Sequence, residues 1–172
     1  MEGMFRIVIS ETQFVLQVET AFALKISDAT FFSGSALGYV EITQAGLVGY
    51  FELTVTIGMP ESAGFGLTGR FQFEINTTVS DKTIKRFKLN EDGNVIVGAD
   101  GNIVREDHTI PGLSLRVYIG GKLILGSVFV IIGSIEITLS RAGFEMHIYG
   151  KVQVGNFGKI EVRGDAGLYV EL

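Results

Sequence analysis

Phe14-Val-Leu-Gln-Val-Glu-Thr-Ala-Phe-Ala-Leu24 is the stretch whose reading decides the fold. Its alternate positions are Phe14, Leu16, Val18, Thr20, Phe22 and Leu24, while the positions between hold Val15, Gln17, Glu19, Ala21 and Ala23. Successive side chains of a strand point to opposite sides, so one mostly apolar set and one wetter set predict a β-strand with two unlike faces. Spacing at i, i+3, i+4 does not fit. Residues 47–57 set Leu47, Gly49, Phe51, Leu53, Val55 and Ile57 against Val48, Tyr50, Glu52, Thr54 and Thr56. Residues 144–154 set Phe144, Met146, Ile148, Gly150, Val152 and Val154 against Glu145, His147, Tyr149, Lys151 and Gln153. The pattern predicts strands whose apolar side is shielded by a neighbouring layer.

Working outward, a phrase recurs. Gly38-Tyr-Val-Glu-Ile-Thr-Gln-Ala-Gly-Leu47, Gly133-Ser-Ile-Glu-Ile-Thr-Leu-Ser-Arg-Ala-Gly-Phe144 and Gly158-Lys-Ile-Glu-Val-Arg-Gly-Asp-Ala-Gly-Leu168 share glycine, aliphatic, glutamate, aliphatic, then Ala-Gly and a large apolar residue. Each is read as a strand, a turn at Ala-Gly and a returning strand. A lone hairpin cannot bury its own apolar face, so copies must stack or share a sheet. Gly38, Gly58, Gly69, Gly120-Gly121, Gly133, Gly155 and Gly164 are read as further breaks between strands. The expected fold class is all-β: antiparallel hairpin repeats forming a long meander, a rolled or stacked sheet, or a sandwich. Residues 1–172 are read as one repeat domain, a fragment or protomer of a larger assembly, with a divergent polar excursion at about 79–109. That excursion carries Lys82, Lys85, Arg86 and Lys88, and two Asp-Gly-Asn triplets that predict hairpin turns.

Composition narrows the function classes. The 172 residues are 47% hydrophobic and 19% charged, with 23 glycines against 2 prolines. Such a chain folds rather than staying disordered, and its apolar excess points to a partner, a lipid or another copy. A net charge of -5 argues against nucleic acid. With no cysteine, disulfides and thiolate chemistry are out. The start, Met1-Glu2-Gly3-Met4, shows no basic segment leading into an apolar core, and no run reaches the roughly 20 apolar residues of a membrane helix.

Each candidate site has a structural reading beside it. Gly64-Phe-Gly-Leu-Thr-Gly69 spells a dinucleotide-binding motif, but alternation in Arg70-Phe-Gln-Phe-Glu-Ile75 predicts a strand where a helix is required, which favours a glycine-rich turn. Asp92, Asp100 and Asp107 are the calcium candidates, with Glu91 and Glu106 nearby; solvated turns are preferred because no EF-hand or β-roll spacing accompanies them. His108 and His147 are too few for a zinc site, and no Gly-x-Ser-x-Gly elbow marks a hydrolase. Lys82 to Lys88 reads as a solvated edge strand rather than a site for acidic lipid or polymer. No enzyme and no cofactor are expected. Leu123-Ile-Leu-Gly-Ser-Val-Phe-Val-Ile-Ile132 is apolar on both sides, which marks Leu123, Ile124, Val128, Phe129, Val130 and Ile131 as self-association candidates.

The Ala-Gly-Leu and Ala-Gly-Phe phrases, Phe71-Gln-Phe-Glu-Ile-Asn-Thr-Thr78 and Ile110-Pro-Gly-Leu-Ser-Leu-Arg-Val117 resemble segments of very long, repetitive bacterial surface or secreted proteins. The resemblance implies a repeat fragment of a large extracellular protein and transfers no catalytic residue. The expected function is a non-enzymatic structural module of an extracellular fibre, sheath or adhesin, located outside the cell or at its surface. Its expected partners are copies of itself, joined through apolar sheet faces and strand edges. Two alternatives stand beside it: an outer-membrane β-barrel, and a β-groove carrying lipid.

Overall fold

The computed structural model describes residues 2–26, 29–58, 64–90, 95–126, 128–155 and 158–169. The strands are β1 (Glu2–Ile9), β2 (Gln13–Ile26), β3 (Ala29–Thr43), β4 (Gly46–Gly58), β5 (Phe65–Asn76), β6 (Lys82–Phe87), β7 (Arg105–Ile110), β8 (Ser114–Leu125), β9 (Phe129–Ser140), β10 (Gly143–Val154) and β11 (Gly158–Tyr169). Nine of them form one open antiparallel sheet in the order β1-β2-β3-β4-β5-β8-β9-β10-β11, and β6 with β7 forms a separate two-stranded ribbon. There is no helix among the described residues. The all-β antiparallel meander expected from the period-two pattern is the observed fold.

Two of the Ala-Gly phrases make the turns assigned to them. Thr43 pairs with Gly46 and Ser140 with Gly143, closing two-residue loops at Gln44-Ala45 and Arg141-Ala142. Gly46 and Gly143 have φ of 139° and 131°, a region that a Cβ disfavours. The third phrase corrects the reading: Ala166 and Gly167 lie inside β11, opposite Met146 and Glu145. Most of the supposed breaks are corrected too. Gly38, Gly69, Gly120, Gly121, Gly133 and Gly164 sit within strands, where ladder pairing on both sides or one carries the backbone straight through them. Of the set, Gly155 turns, with φ of 47°, and Gly58 closes β4. Of Gly64-Phe-Gly-Leu-Thr-Gly69, Gly64 has φ of 67° just before the strand, residues 65–69 open β5, and no helix follows.

The central excursion is the β6–β7 ribbon, inserted between β5 and β8 and laid across one face of the sheet. Asn76, buried at the end of β5, holds its stem. Its amide donates to the carbonyls of Ser80 (2.9 Å) and Ile110 (3.1 Å), and its Oδ1 accepts from the Thr78 amide (3.0 Å) and hydroxyl (2.7 Å). Beneath the ribbon, Ile84 and Ile110 meet Val15, Leu37, Tyr39, Val48 and Tyr50 in a small core.

Candidate functional site

The sheet sorts its residues by face with almost no exception. Cross-strand partners Phe5, Val18, Gly38, Phe51, Phe73, Val117, Ile137 and Met146 follow one another from β1 to β10 on one side. Two residues along, Gly3, Thr20, Ala36, Leu53, Phe71, Ile119, Ile135 and Ile148 make a parallel row. Thr20 is the one polar side chain on this face among the described strand residues. Every described charged side chain of the nine strands points the other way, which follows from alternation along strands whose one register shift, between β2 and β3, falls at Leu24/Lys25.

The ribbon covers the polar side, not the apolar one. Among the described residues no element of this chain supplies the neighbouring layer predicted for the apolar side, an inversion of the usual covering. Phe5 is 67% exposed, Ile119 53% and Ile135 44%, while Glu19, Glu52 and Glu74 are each under 5% exposed. The inversion has an electrostatic cause. Four buried glutamates line the polar face, and the ribbon supplies each with a cation or imidazole: Lys82 to Glu41, Arg86 to Glu52, Arg105 to Glu19 and His108 to Glu74. Arg70 adds a second contact to Glu52 at 2.7 Å, and Arg116 joins Glu74 (3.0 Å) to Glu136 (2.6 Å). A buried carboxylate is tolerated only with such partners.

At Glu41 and Glu74 these partners favour the charged form. Burial opposes the charge on Glu41, but donation from Lys82, Tyr39 and Gln13 outweighs it and holds the carboxyl below the ordinary glutamate value. Burial also opposes the charge on Glu74, and His108, Arg116 and Gln72 overcome it in the same direction. Burial and the adjacent carboxylates push the Tyr39 and Tyr50 phenols well above the usual tyrosine range. The Lys82–Lys88 segment is therefore a solvated edge on one side only. Lys82 and Arg86 alternate with buried Ile84 on the side facing the sheet, and Lys85 pairs with Asp107 at 2.6 Å on the outside.

The repeat glutamates prove informative. Glu41, Glu136 and Glu161 all lie on the polar face, and each meets a cation: Lys82, Arg116, and Lys159 with Arg163. The phrase thus records a face polarity, an assignment that period-two reading of each copy makes available.

Among the calcium candidates, Asp92 lies outside the described residues, as does Glu91. Asp100 caps its own turn, accepting from the Asn102 backbone amide (3.1 Å) and side chain (2.9 Å), and Asp107 faces Lys85. No group of three or more metal-ligating side chains occurs among the described residues. His147 sits on the polar face with Nδ1 2.7 Å from Asp165, and His108 stacks near Tyr50 with ring centres 5.1 Å apart. An open groove of about 490 Å³ runs between Asn90 and the β5–β9 surface, walled by Tyr118 and Tyr149.

The self-association candidates divide. Leu123, Phe129 and Ile131 belong to the apolar face, Ile124 and Val130 to the opposite one, and Val128 flanks the β8–β9 connection. What the sequence reading missed is extent: the open apolar surface is not one segment but a side of the whole sheet. Across it runs a row of directly opposed glycines, Gly69, Gly121, Gly133 and Gly150, on four neighbouring strands. Leu67, Leu123, Ile131 and Val152 bound it on one side and Phe71, Ile119, Ile135 and Ile148 on the other, so the row is a shallow furrow between two ridges.

Compared with known proteins, the chain matches no family, no characterised relative and no solved structure.

Proposed function

We propose that this chain is a structural β-module that self-associates by stacking its apolar sheet face against the same face of another copy. The observation that carries the reading is the apolar face, which bears no charged side chain among the described strand residues and stays open while the chain's own covering element goes to the polar side. At about 4.8 Å per strand and 3.3 Å per residue, nine strands and the rows from Leu16 to Leu24 make an area on the order of 1,000 Å². A stable interface buries about 800 Å² per partner, so the face suffices. The furrow and ridges suit the interdigitation of two sheets packed about 10 Å apart. The likeness to long repetitive bacterial surface proteins supports a place in a fibre, sheath or adhesin at the cell surface. In that setting the apolar face also serves neighbouring repeats.

Strand length and face polarity favour a second reading, the wall of an outer-membrane β-barrel. Strands of 12 residues or more with an apolar outside and a polar inside meet its requirements. Against it, Tyr39, Tyr50, Tyr118 and Tyr149 all lie on the polar face, so none of these four borders the apolar one. The test is light scattering and electron microscopy of the purified chain without detergent. Ordered assemblies that Ile119→Asp with Ile135→Asp disperses into small folded particles are the expected result. A chain that stays monomeric at high concentration overturns the proposal, and one that enters lipid vesicles as a protease-resistant sheet transfers it to the membrane reading.

A further inference from the structure

β11 is an edge strand, and the side chains of its polar face alternate in sign: Lys159, Glu161, Arg163, Asp165. Lys159 and Arg163 both reach Glu161, at 2.5 and 2.6 Å, and Asp165 meets His147. The side chains of Arg163 and Asp165 nevertheless remain 74% and 77% exposed. Topology limits what can pair here. The sheet is an antiparallel meander of nine strands, an odd number, so β1 and β11 run in the same direction. A copy added by simple translation would therefore bring its β1 alongside β11 in parallel. Turning a copy about an axis in the plane of the sheet swaps the apolar and polar faces. Only a two-fold axis normal to the sheet keeps the faces aligned and the pairing antiparallel, and it sets β11 against β11.

We infer that β11 is an isologous edge at which a second copy pairs antiparallel, with Val162 opposite the second copy's Val162. This rests on the reading of the chain as a self-associating module and adds to it a defined edge and register. In that register Lys159 faces the copy's Asp165 and Glu161 faces its Arg163, so every charge meets its opposite. Sliding by two residues, the smallest shift that preserves the faces, either sets Glu161 against itself and Lys159 against Arg163, or sets Arg163 against itself and Glu161 against Asp165. Opposite-charge pairs directly across a ladder stabilise it and like charges oppose it, so the sequence of β11 selects one register. The product is a continuous sheet of twice the width, with a single unbroken apolar face.

The test uses the full chain, which has no cysteine of its own. Lys159→Cys and Asp165→Cys are made as separate proteins, then oxidised singly and as a mixture. Both positions are on the polar face, where stacking through the apolar face cannot join them. The mixture is expected to form disulfide dimers about ten-fold faster than either protein alone. Adding Arg163→Glu to both should slow this about ten-fold, and adding Glu161→Arg as well should restore it, because the swap keeps all pairs complementary. Equal cross-linking in all three samples, no cross-linking, or indifference to Arg163→Glu overturns the inference. Failure of the stacking proposal looks different: the mixture still cross-links, but nothing larger than edge-paired dimers is seen.

Discussion

The amide of Asn76 donates to the carbonyl of Ile110, 34 positions away, at 3.1 Å. That bond joins the last residue of β5 to the last residue of β7 and so fixes where the ribbon leaves and rejoins the sheet. Everything the ribbon does to the buried glutamates depends on this stem, since Lys82 and His108 reach Glu41 and Glu74 only when it lies flat.

Replacing Asn76 with alanine removes both donors and the acceptor for Thr78 from a site 1% exposed. An unpartnered Ile110 carbonyl and the other lost hydrogen bonds make the expected cost about 2–3 kcal/mol. Chemical denaturation followed by circular dichroism reads it. Thr78→Val, which removes one hydroxyl at the exposed rim, should cost no more than about 1 kcal/mol.

Acid should release the ribbon before it melts the sheet. Glu41 and Glu74 have carboxyls held below their ordinary value in the folded chain, by Lys82, Tyr39 and Gln13 against burial in one case and by His108, Arg116 and Gln72 against burial in the other. The unfolded or undocked state thus binds protons more readily. The stabilisation is complete above the ordinary glutamate value and is lost as pH falls through the depressed values. Hydrogen exchange of residues 82–110 should be flat from neutral pH down to the ordinary glutamate range. Corrected for intrinsic rates, it should rise below that range ahead of β9 and β10. Uniform loss across the sheet would contradict the docking account.

Alkali probes the same interface from the other side. Tyr39 and Tyr50 are buried beside Glu41 and Glu52, which raises both phenols. Here the folded state holds its proton more tightly than the unfolded one. The stability these groups contribute is therefore present below the ordinary tyrosine value, about 10, and is lost as pH rises above it. Ultraviolet titration should show tyrosinate forming in two phases, with Tyr39 and Tyr50 in the late one. Tyr50→Phe should remove one equivalent from that phase.

Period-two patterning made the strands and their two faces legible, because alternation is a local property that no distant contact can hide. Which face the chain would cover was not. Val15, Leu37 and Val48 share the polar side with Gln17, Glu19 and Glu41, and the ribbon that buries them is recognisable only by the match between its cations and glutamates far away in sequence. Glycine misled for a related reason. Gly69 and Gly155 look alike in sequence, but Gly155 turns because its φ is positive, whereas Gly69 is held straight by partners on both sides.

That distinction yields the sharpest contrast for mutation. At Gly46, φ is 139° and a Cβ would lie 2.5 Å from the Thr77 hydroxyl, so Gly46→Ala should destabilise the fold by about 1–3 kcal/mol. At Gly69 and Gly150 the backbone is ordinary strand and a Cβ meets nothing within 4 Å. Alanine there should leave the fold unchanged or firmer by about 0.5–1 kcal/mol, since glycine in a strand loses more conformational freedom on folding. Both substitutions would, however, partly fill the furrow on the apolar face. If ridges of a facing sheet enter it, Gly69→Ala with Gly150→Ala should weaken assembly several-fold while thermal unfolding of the dispersed chain stays level or rises. A double variant that assembles as the parent does would leave the furrow without a role in stacking.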